Sequence, residues 1–315
     1  MSRIHEALKK AEQERAAGRA ADVIAPPHAE AARIMESPTS APIAVPSAVV
    51  ETPPRNGQTA EYLRFEDLRA QCSHSEWHPD PNVNVFFNPS LSSHGAEQFR
   101  TLRSRLYQLR SSQPLRTLLV TSSVPGEGKT FAAANLAQAI VRQPDRRALI
   151  IDADLRCARV HTVLGAPPAP GLTDYLRGDA DEMAVIQNGQ EGNLCFIAGG
   201  NEVTNPSELL SNGRLKALLD RVTPVFDWVI LDSPPCLPVA DATILADLCD
   251  GVLLVVRAGS TPSSTVQRAC QELQGRNLVG VVLNAVQKSH LYGSYYYYQS
   301  YDSGYIRSDS DAGTR

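Results

Sequence analysis

The sequence predicts an α/β fold: a doubly wound, mostly parallel sheet with helices on both faces, preceded by a flexible linker and followed by a disordered tyrosine-rich tail. Three observations predict it. Unbroken Val/Ile/Leu runs of strand length alternate with helical patterns from Ala96 to Leu283, which is how strands covered on both faces read. The first of these runs opens into a glycine turn that leads straight into a helix. Two later runs end in aspartate, so polar groups gather beyond the C-terminal strand ends, where such sheets bind their ligands.

Residues 2–17 place Ile4, Ala7, Leu8 and Ala11 at i, i+3, i+4 and i+7, a helical stripe. The mixed charge of its polar side suits a partner helix better than a lipid surface; a solvated helix is the open alternative. Over residues 18–90, Pro26, Pro27, Pro38, Pro42, Pro46, Pro53 and Pro54 interrupt any periodicity among Ala, Ser and Thr. Such a stretch buries too little apolar surface to offset its ordering entropy and reads as a flexible linker, with the pattern of a short helix over Glu61–Ala70 inside it.

Residues 91–286 are the regular domain. The patterns predict a helix over 96–110, a strand over 117–121, a helix over 130–142 and a strand over 148–151. They continue with a strand over 194–198, a helix over 212–222 and a strand over 228–231. A helix over 241–248, a strand over 252–256, a helix over 262–274 and a strand over 279–283 complete the domain. From residue 287 to 315 the chain is low in complexity and reads as a tail.

Composition narrows the class. Hydrophobic content of 43% and charged content of 20% suit a globular protein. Thirty basic against 34 acidic residues give a net charge of −4, so no global basic field draws nucleic acid. The six cysteines, at 72, 157, 195, 236, 249 and 270, form no CxxC pair, which fits reduced thiols and no zinc site. No apolar run approaches the ~20 residues that span a bilayer, and the charged N-terminus lacks the core of a signal peptide. The expectation is a cytoplasmic protein that any membrane role reaches through a partner.

The strand over 117–121 runs into Ser122-Ser123-Val124-Pro125-Gly126-Glu127-Gly128-Lys129-Thr130 and then a helix. Backbone N–H groups converging at a helix N-terminus form a cradle for phosphate, and Gly126 and Gly128 permit the close, positive-φ backbone it requires. Lys129 can reach the β- and γ-phosphates and the Thr130 hydroxyl can ligate Mg²⁺. Ser123 stands where the strict GxxxxGK[ST] pattern has glycine. The expected ATP-binding residues are Ser123, Val124, Pro125, Gly126, Glu127, Gly128, Lys129 and Thr130.

Asp152 and Asp154 lie at the end of the strand that opens ALIIDADLR, residues 148–156, and Asp232 ends VILD. One aspartate alone could be a helix cap; three beside a phosphate loop suit phosphoryl transfer, which needs Mg²⁺ near the γ-phosphate and a carboxylate to orient the nucleophile. Lys129, Asp152 and Asp154 are the catalytic candidates, and Thr130, Asp154 and Asp232 the metal ligands. A carboxylate near pKa 4 is a weak base for a phenol near 10, but a loose transition state rewards positioning over prior deprotonation.

These motifs resemble the bacterial tyrosine kinases of capsule and exopolysaccharide synthesis, within the MinD/ParA-like group of P-loop NTPases. Ser122–Thr130 resembles that family's Walker A motif, Leu149–Arg156 its A′ motif and Val229–Pro234 its Walker B motif. Glu97-Gln98-Phe99-Arg100-Thr101-Leu102-Arg103 matches its ExxRxxR helix, and Asn205-Pro206-Ser207-Glu208-Leu209-Leu210 another family stretch. The N-terminal SRIHEALKKAEQERA is similar to the start of autokinases of exosortase-linked loci. The resemblance implies ATP and Mg²⁺, a ring-like homo-oligomer with Glu97, Arg100 and Arg103 at its interface, and phosphorylation in trans. It also implies a membrane-embedded polysaccharide chain-length or co-polymerase protein as activator, recruitment to the inner face of the membrane, and a cognate phosphotyrosine phosphatase. On spacing alone Glu97, Arg100 and Arg103, within about 120° of one helix face, could equally be a surface salt-bridge row.

Seven of the ten tyrosines lie in the tail: Tyr292, Tyr295, Tyr296, Tyr297, Tyr298, Tyr301 and Tyr305. They sit among Gly, Ser, Gln and Asp with no core to enter, and too few arginines interleave them to suggest nucleic-acid stacking. They are the expected phosphoacceptors of an autokinase. The main rival is a ParA/MinD-like positioning ATPase, which would carry a second lysine where this chain has Val124. A third reading is a scaffold that binds ATP without turnover.

Overall fold

A computed structural model of the chain describes residues 64–88, 94–189 and 192–286. The N-terminal helix expected over residues 1–17 and the tyrosine-rich tail lie outside these residues. The described strands are β1 (Ser73–His74), β2 (Thr117–Ser122), β3 (Ala148–Asp152), β4 (Ile186–Asn188), β5 (Leu194–Ile197), β6 (Trp228–Asp232), β7 (Gly251–Arg257) and β8 (Leu278–Asn284). They form one sheet of order β1-β4-β5-β3-β6-β2-β7-β8. Neighbours are parallel except β4 and β5, so the expected doubly wound, mostly parallel sheet is what the chain forms.

Alternation along the strands builds both cores. Leu118, Val120, Ala148 and Ile150 turn to one face, which packs α2 (His94–Arg110), α3 (Lys129–Val141) and α4 (Val160–Leu164). Leu119, Leu149, Ile151, Val229 and Leu231 turn to the other. That face packs α1 (Phe65–Gln71), α5 (Leu172–Arg177), α8 (Arg214–Val222), α9 (Asp241–Ala246) and α10 (Ser263–Glu272). In α3 every residue from Ala132 to Val141 is buried. Its alanines let the helix lie close against β2 and β3, fixing the direction in which Lys129 and Thr130 enter the site.

The linker expected over residues 18–90 ends earlier than its composition suggested. Residues 64–88 fold onto the domain: Phe65, Leu68, Trp77 and Val85 are buried, and β1 pairs with β4. The His78 N–H donates to the Gly165 carbonyl (3.1 Å) and the Val85 N–H to Asn135 Oδ1 (2.9 Å). The proline-based argument holds only where prolines replace large apolar residues; among residues 64–88, Phe65, Leu68, Trp77 and Val85 each find a buried place. The sequence also passed over α4, α5, α6 (Glu182–Val185), β4 and α7 (Pro206–Ser211), each too short to show a period. Among the described residues no helix is long and apolar enough to cross a membrane.

Candidate active site

β2 lies inside the sheet, between β6 and β7, and its C-terminal end releases the chain into the loop 123–128. Gly126 and Gly128 sit at φ 83° and 91°, the left-handed region that the loop's turn requires. Ser123 is fully buried and is not among the positive-φ residues, which explains why this position does without glycine. Pro125 and Gly126 are exposed and Val124 is half-buried, so the loop opens to solvent at its crest.

Glu127 belongs to the loop through its backbone, and its side chain has a separate role. Its carboxylate turns away from the phosphate cradle and is buried. Oε2 accepts the Val124 N–H (2.9 Å), and Oε1 accepts the Arg257 N–H (3.2 Å) and the Thr261 hydroxyl (2.5 Å). A carboxylate aimed at a triphosphate would repel it; turned inward, it braces the loop against the end of β7. Asn284 adds a second brace, donating Nδ2–H to the Glu127 carbonyl at 2.9 Å.

The acidic strand ends converge as expected. Asp152 and Asp232 are register partners across β3 and β6. Lys129 Nζ stands 2.9 Å from Asp154 Oδ2, and the Thr130 hydroxyl donates to Asp232 Oδ2 at 2.6 Å. Asp152 lies behind them. Its oxygens accept the Val160 N–H (2.9 Å) and the Asp154 N–H (3.3 Å), so it shapes the turn that carries Asp154.

Burial pushes Asp232 up to about 6, against the opposing pull of Lys129 and Thr130. Burial, with Asp232 beside it, holds Asp152 well above the usual carboxylate range. For Lys129 burial pulls the ammonium down, but Asp232 and Asp154 outweigh it and the net shift is upward. Lys129 is therefore charged at neutral pH and two of its neighbours carry excess proton affinity, a cluster that an added cation would relieve.

A magnesium ion fits this donor set. Asp232 Oδ1 is buried without a hydrogen-bond partner, and the Thr130 hydroxyl already lies against the same carboxylate. Mg²⁺ characteristically takes one or two carboxylates together with substrate phosphates.

No protein-family model matches the chain. It is 34% identical over 222 residues to the tyrosine-protein kinase YwqD of Bacillus subtilis, covering 70% of this chain and 93% of that one. The chain belongs to the bacterial tyrosine-protein kinases. The tyrosine-protein kinase etk of Escherichia coli is also 34% identical, over 69% of this chain, which spans 30% of that longer protein. The kinase domain of E. coli ETK superposes with a TM-score of 0.62 at 30% identity, over 76% of this chain and 87% of that domain. This kinship favours the kinase reading over the positioning-ATPase one.

In this kinase the helix α2 treats its three motif residues differently. Glu97 and Arg100 pair with each other on the surface at 3.0 Å, whereas Arg103 turns inward and donates to the Ala139 carbonyl at 2.5 Å. Arg103 thus ties α2 to α3, while Glu97 and Arg100 stay on the outer face. Residues the sequence reading left without a role also matter here: Thr261 and Asn284 as braces of the loop, and Ser207 and Asp241 bonded to Arg156, two residues after Asp154. The tyrosines expected as phosphoacceptors lie outside the described residues.

The two loop glycines make different demands. A Cβ on Gly128 would stand 2.0 Å from Asn284 Nδ2, whereas one on Gly126 would meet nothing within 4 Å. Both substitutions to alanine cost about 1–2 kcal/mol of left-handed strain, but only Gly128→Ala also expels the Asn284 brace. We expect Gly128→Ala to weaken ADP binding at least about tenfold, one decade being ~1.4 kcal/mol, and Gly126→Ala distinctly less. Titration with a fluorescent ADP analogue measures both; equal losses would mean the Asn284 contact does not shape the loop.

Proposed function

We propose that this kinase is an autokinase: it transfers the γ-phosphate of ATP, with Mg²⁺, to the tyrosine cluster Tyr292–Tyr305 of another copy of the same chain. The observation that carries the reading is where β8 ends. Asn284 touches the phosphate loop through the Glu127 carbonyl, so the chain leaves the domain on the edge that holds Lys129, Asp154 and Asp232. Tyr292 follows eight residues later, within roughly 26–29 Å of extended chain. Two of the remaining tyrosines are spoken for by the core: Tyr175 is buried, and Tyr107 packs edge-on against Trp228 at 5.7 Å.

The geometry supports the following roles. Lys129 leaves Asp154 to meet the β- and γ-phosphate oxygens, and Thr130 with Asp232 offers oxygens to the metal. Bound Mg²⁺ would neutralise charge on the transferring phosphate. Asp154, released from Lys129, accepts a hydrogen bond from the incoming phenol and takes its proton as the phenolic oxygen bonds to the γ-phosphorus and the bond to ADP breaks. Asp152 holds the turn in place through the Asp154 N–H. A phenol near pKa 10 is served by a carboxylate held in position, because a loose transition state rewards positioning over prior deprotonation.

By kinship we extend the reading to control of exopolysaccharide or capsule synthesis. We also extend it to a ring-like homo-oligomer with Glu97 and Arg100 on its contact face, and to a membrane chain-length or co-polymerase protein that recruits and activates the kinase. A phosphotyrosine phosphatase would reset it. The test of the core proposal is incubation of the full chain with ATP–Mg²⁺ followed by mass spectrometry. Phosphate is expected on the peptides spanning 292–305. A Lys129→Met chain with an intact tail should acquire it when mixed with an active chain lacking residues 287–315. Phosphate confined to tyrosines elsewhere would refute the tail as acceptor, and failure of the mixture would refute transfer between copies.

A further inference from the structure

We infer that Arg156, Ser207 and Asp241 form a clamp that positions the turn carrying Asp154 beside the phosphate loop, so that its loss slows phosphoryl transfer while leaving nucleotide affinity nearly intact. Arg156 follows Asp154 by two residues on the loop after β3. Its guanidinium grips Asp241 at the start of α9 in a fork, Nε to Oδ2 at 2.7 Å and Nη2 to Oδ1 at 3.1 Å. The same Nη2 lies 3.1 Å from Ser207 Oγ, and the Ser207 hydroxyl donates to Asp241 Oδ1. Ser207 belongs to α7, in the connection between β5 and α8. The clamp therefore ties the loop after β3 to α7 and α9.

Burial shows that the arrangement is built. The Asp241 side chain is fully buried although Arg156 is 40% exposed. A carboxylate taken wholly out of water needs a counter-charge and hydrogen bonds, and among the described residues Arg156 and Ser207 are the side chains bonded to it. The hydrogen bond to Asp241 in turn raises the Arg156 pKa. A lysine could not copy this grip, because it offers a point charge and no planar fork.

The link to catalysis runs through one short turn. The Cys157 N–H donates to Asp154 Oδ1 at 3.0 Å and to the Asp154 carbonyl at 3.1 Å, so residues 154–157 move as a unit. Arg156 sits within that unit and Asp154 Oδ2 faces Lys129. Anchoring Arg156 to α9 fixes the turn from outside, as Asp152 fixes it from beneath through the Asp154 N–H. The phosphate loop hangs on separate braces, Thr261, Arg257 and Asn284. Breaking the clamp thus loosens the carboxylate and spares the cradle.

Arg156, Ser207 and Asp241 are positioning residues. The inference rests on the use of Asp154 in phosphoryl transfer and not on which tyrosine accepts. The test uses the full chain with Arg156→Gln, Arg156→Lys, Asp241→Asn and the Gln/Asn double variant. It reads loss of the γ-phosphate from ATP–Mg²⁺, ADP affinity and Tm. Displacing a reacting group by an ångström costs on the order of a hundredfold, so kcat is expected to fall roughly 10- to 100-fold in Arg156→Gln and Asp241→Asn with ADP affinity changed less than about threefold. Arg156→Lys should recover only part of the loss, and the double variant should be no slower than the worse single one, because both break the same link. Asp241→Asn removes the buried charge itself, and the double variant removes it together with its partner, which guards against a merely unfolded Arg156→Gln protein. The inference is overturned if kcat stays within twofold of the parent, or if ADP affinity falls in step with kcat. Phosphate appearing outside the tail would overturn the proposed acceptor and leave this readout intact, since γ-phosphate loss is counted whatever accepts it.

Discussion

Lys129→Met is expected to reduce phosphotyrosine formation at least about a thousandfold, the scale of losing a preorganised charged group aimed at developing phosphate charge. Methionine keeps most of the lysine stem, so packing against the loop survives and the change is one of charge. In the parent the ammonium faces Asp154 at 2.9 Å and is held charged by Asp232 and Asp154 against the cost of its burial. Without it Asp232 loses the cation that opposes its burial, and its proton affinity rises further. The variant should therefore stay folded by taking up protons, while its affinity for a triphosphate drops. Anti-phosphotyrosine blotting beside a thermal melt checks both halves. A variant that retains a tenth of the parent's activity would show that Lys129 does not reach the transferred phosphate.

What could be read from sequence here is what lies within one short segment. Lys129 and Thr130 follow a strand and a glycine turn, and Asp152, Asp154 and Asp232 end buried strands, so local spacing was enough to place them. Their convergence followed from parallel strands delivering C-terminal ends to one edge. What could not be read lies in pairs far apart along the chain. Glu127 is legible as part of the loop, whereas its side-chain partners Val124, Arg257 and Thr261 are not. The signal was present in its charge, since an anion inside an anion-binding loop has to turn away. Arg156 and Asp241 likewise gave no sign of each other. Residues 64–88 were lost to the linker because composition was averaged over a long window, although Phe65, Leu68 and Trp77 mark that stretch as one with something to bury.

Asp232→Asn should separate stability from activity, moving them in opposite directions. Asp232 is fully buried, and its pKa rises from 3.8 to about 6 through burial. The native state therefore binds more protons than the unfolded one between those values. The stability this group contributes is complete below about pH 4 and is lost as pH rises through about 6. At pH 8 the ligand-free protein thus carries a buried charge it would be more stable without. Asparagine removes that charge and can still accept the Thr130 hydroxyl, and its amide nitrogen replaces an oxygen that already lacks a partner. The expected gain is on the order of 1–3 kcal/mol at pH 8, several degrees in Tm, shrinking as the pH approaches 5. Activity should fall about a hundredfold or more, because the carboxylate that would hold Mg²⁺ is gone. In the parent the same group predicts that kcat/KM for ATP declines as pH drops through about 6, where Asp232 takes up its proton. Melts of both proteins at pH 5 and 8, with turnover measured alongside, decide the matter. A variant less stable than the parent at pH 8 would mean that Asp232 supports the fold, and one as active as the parent would remove it from the metal site.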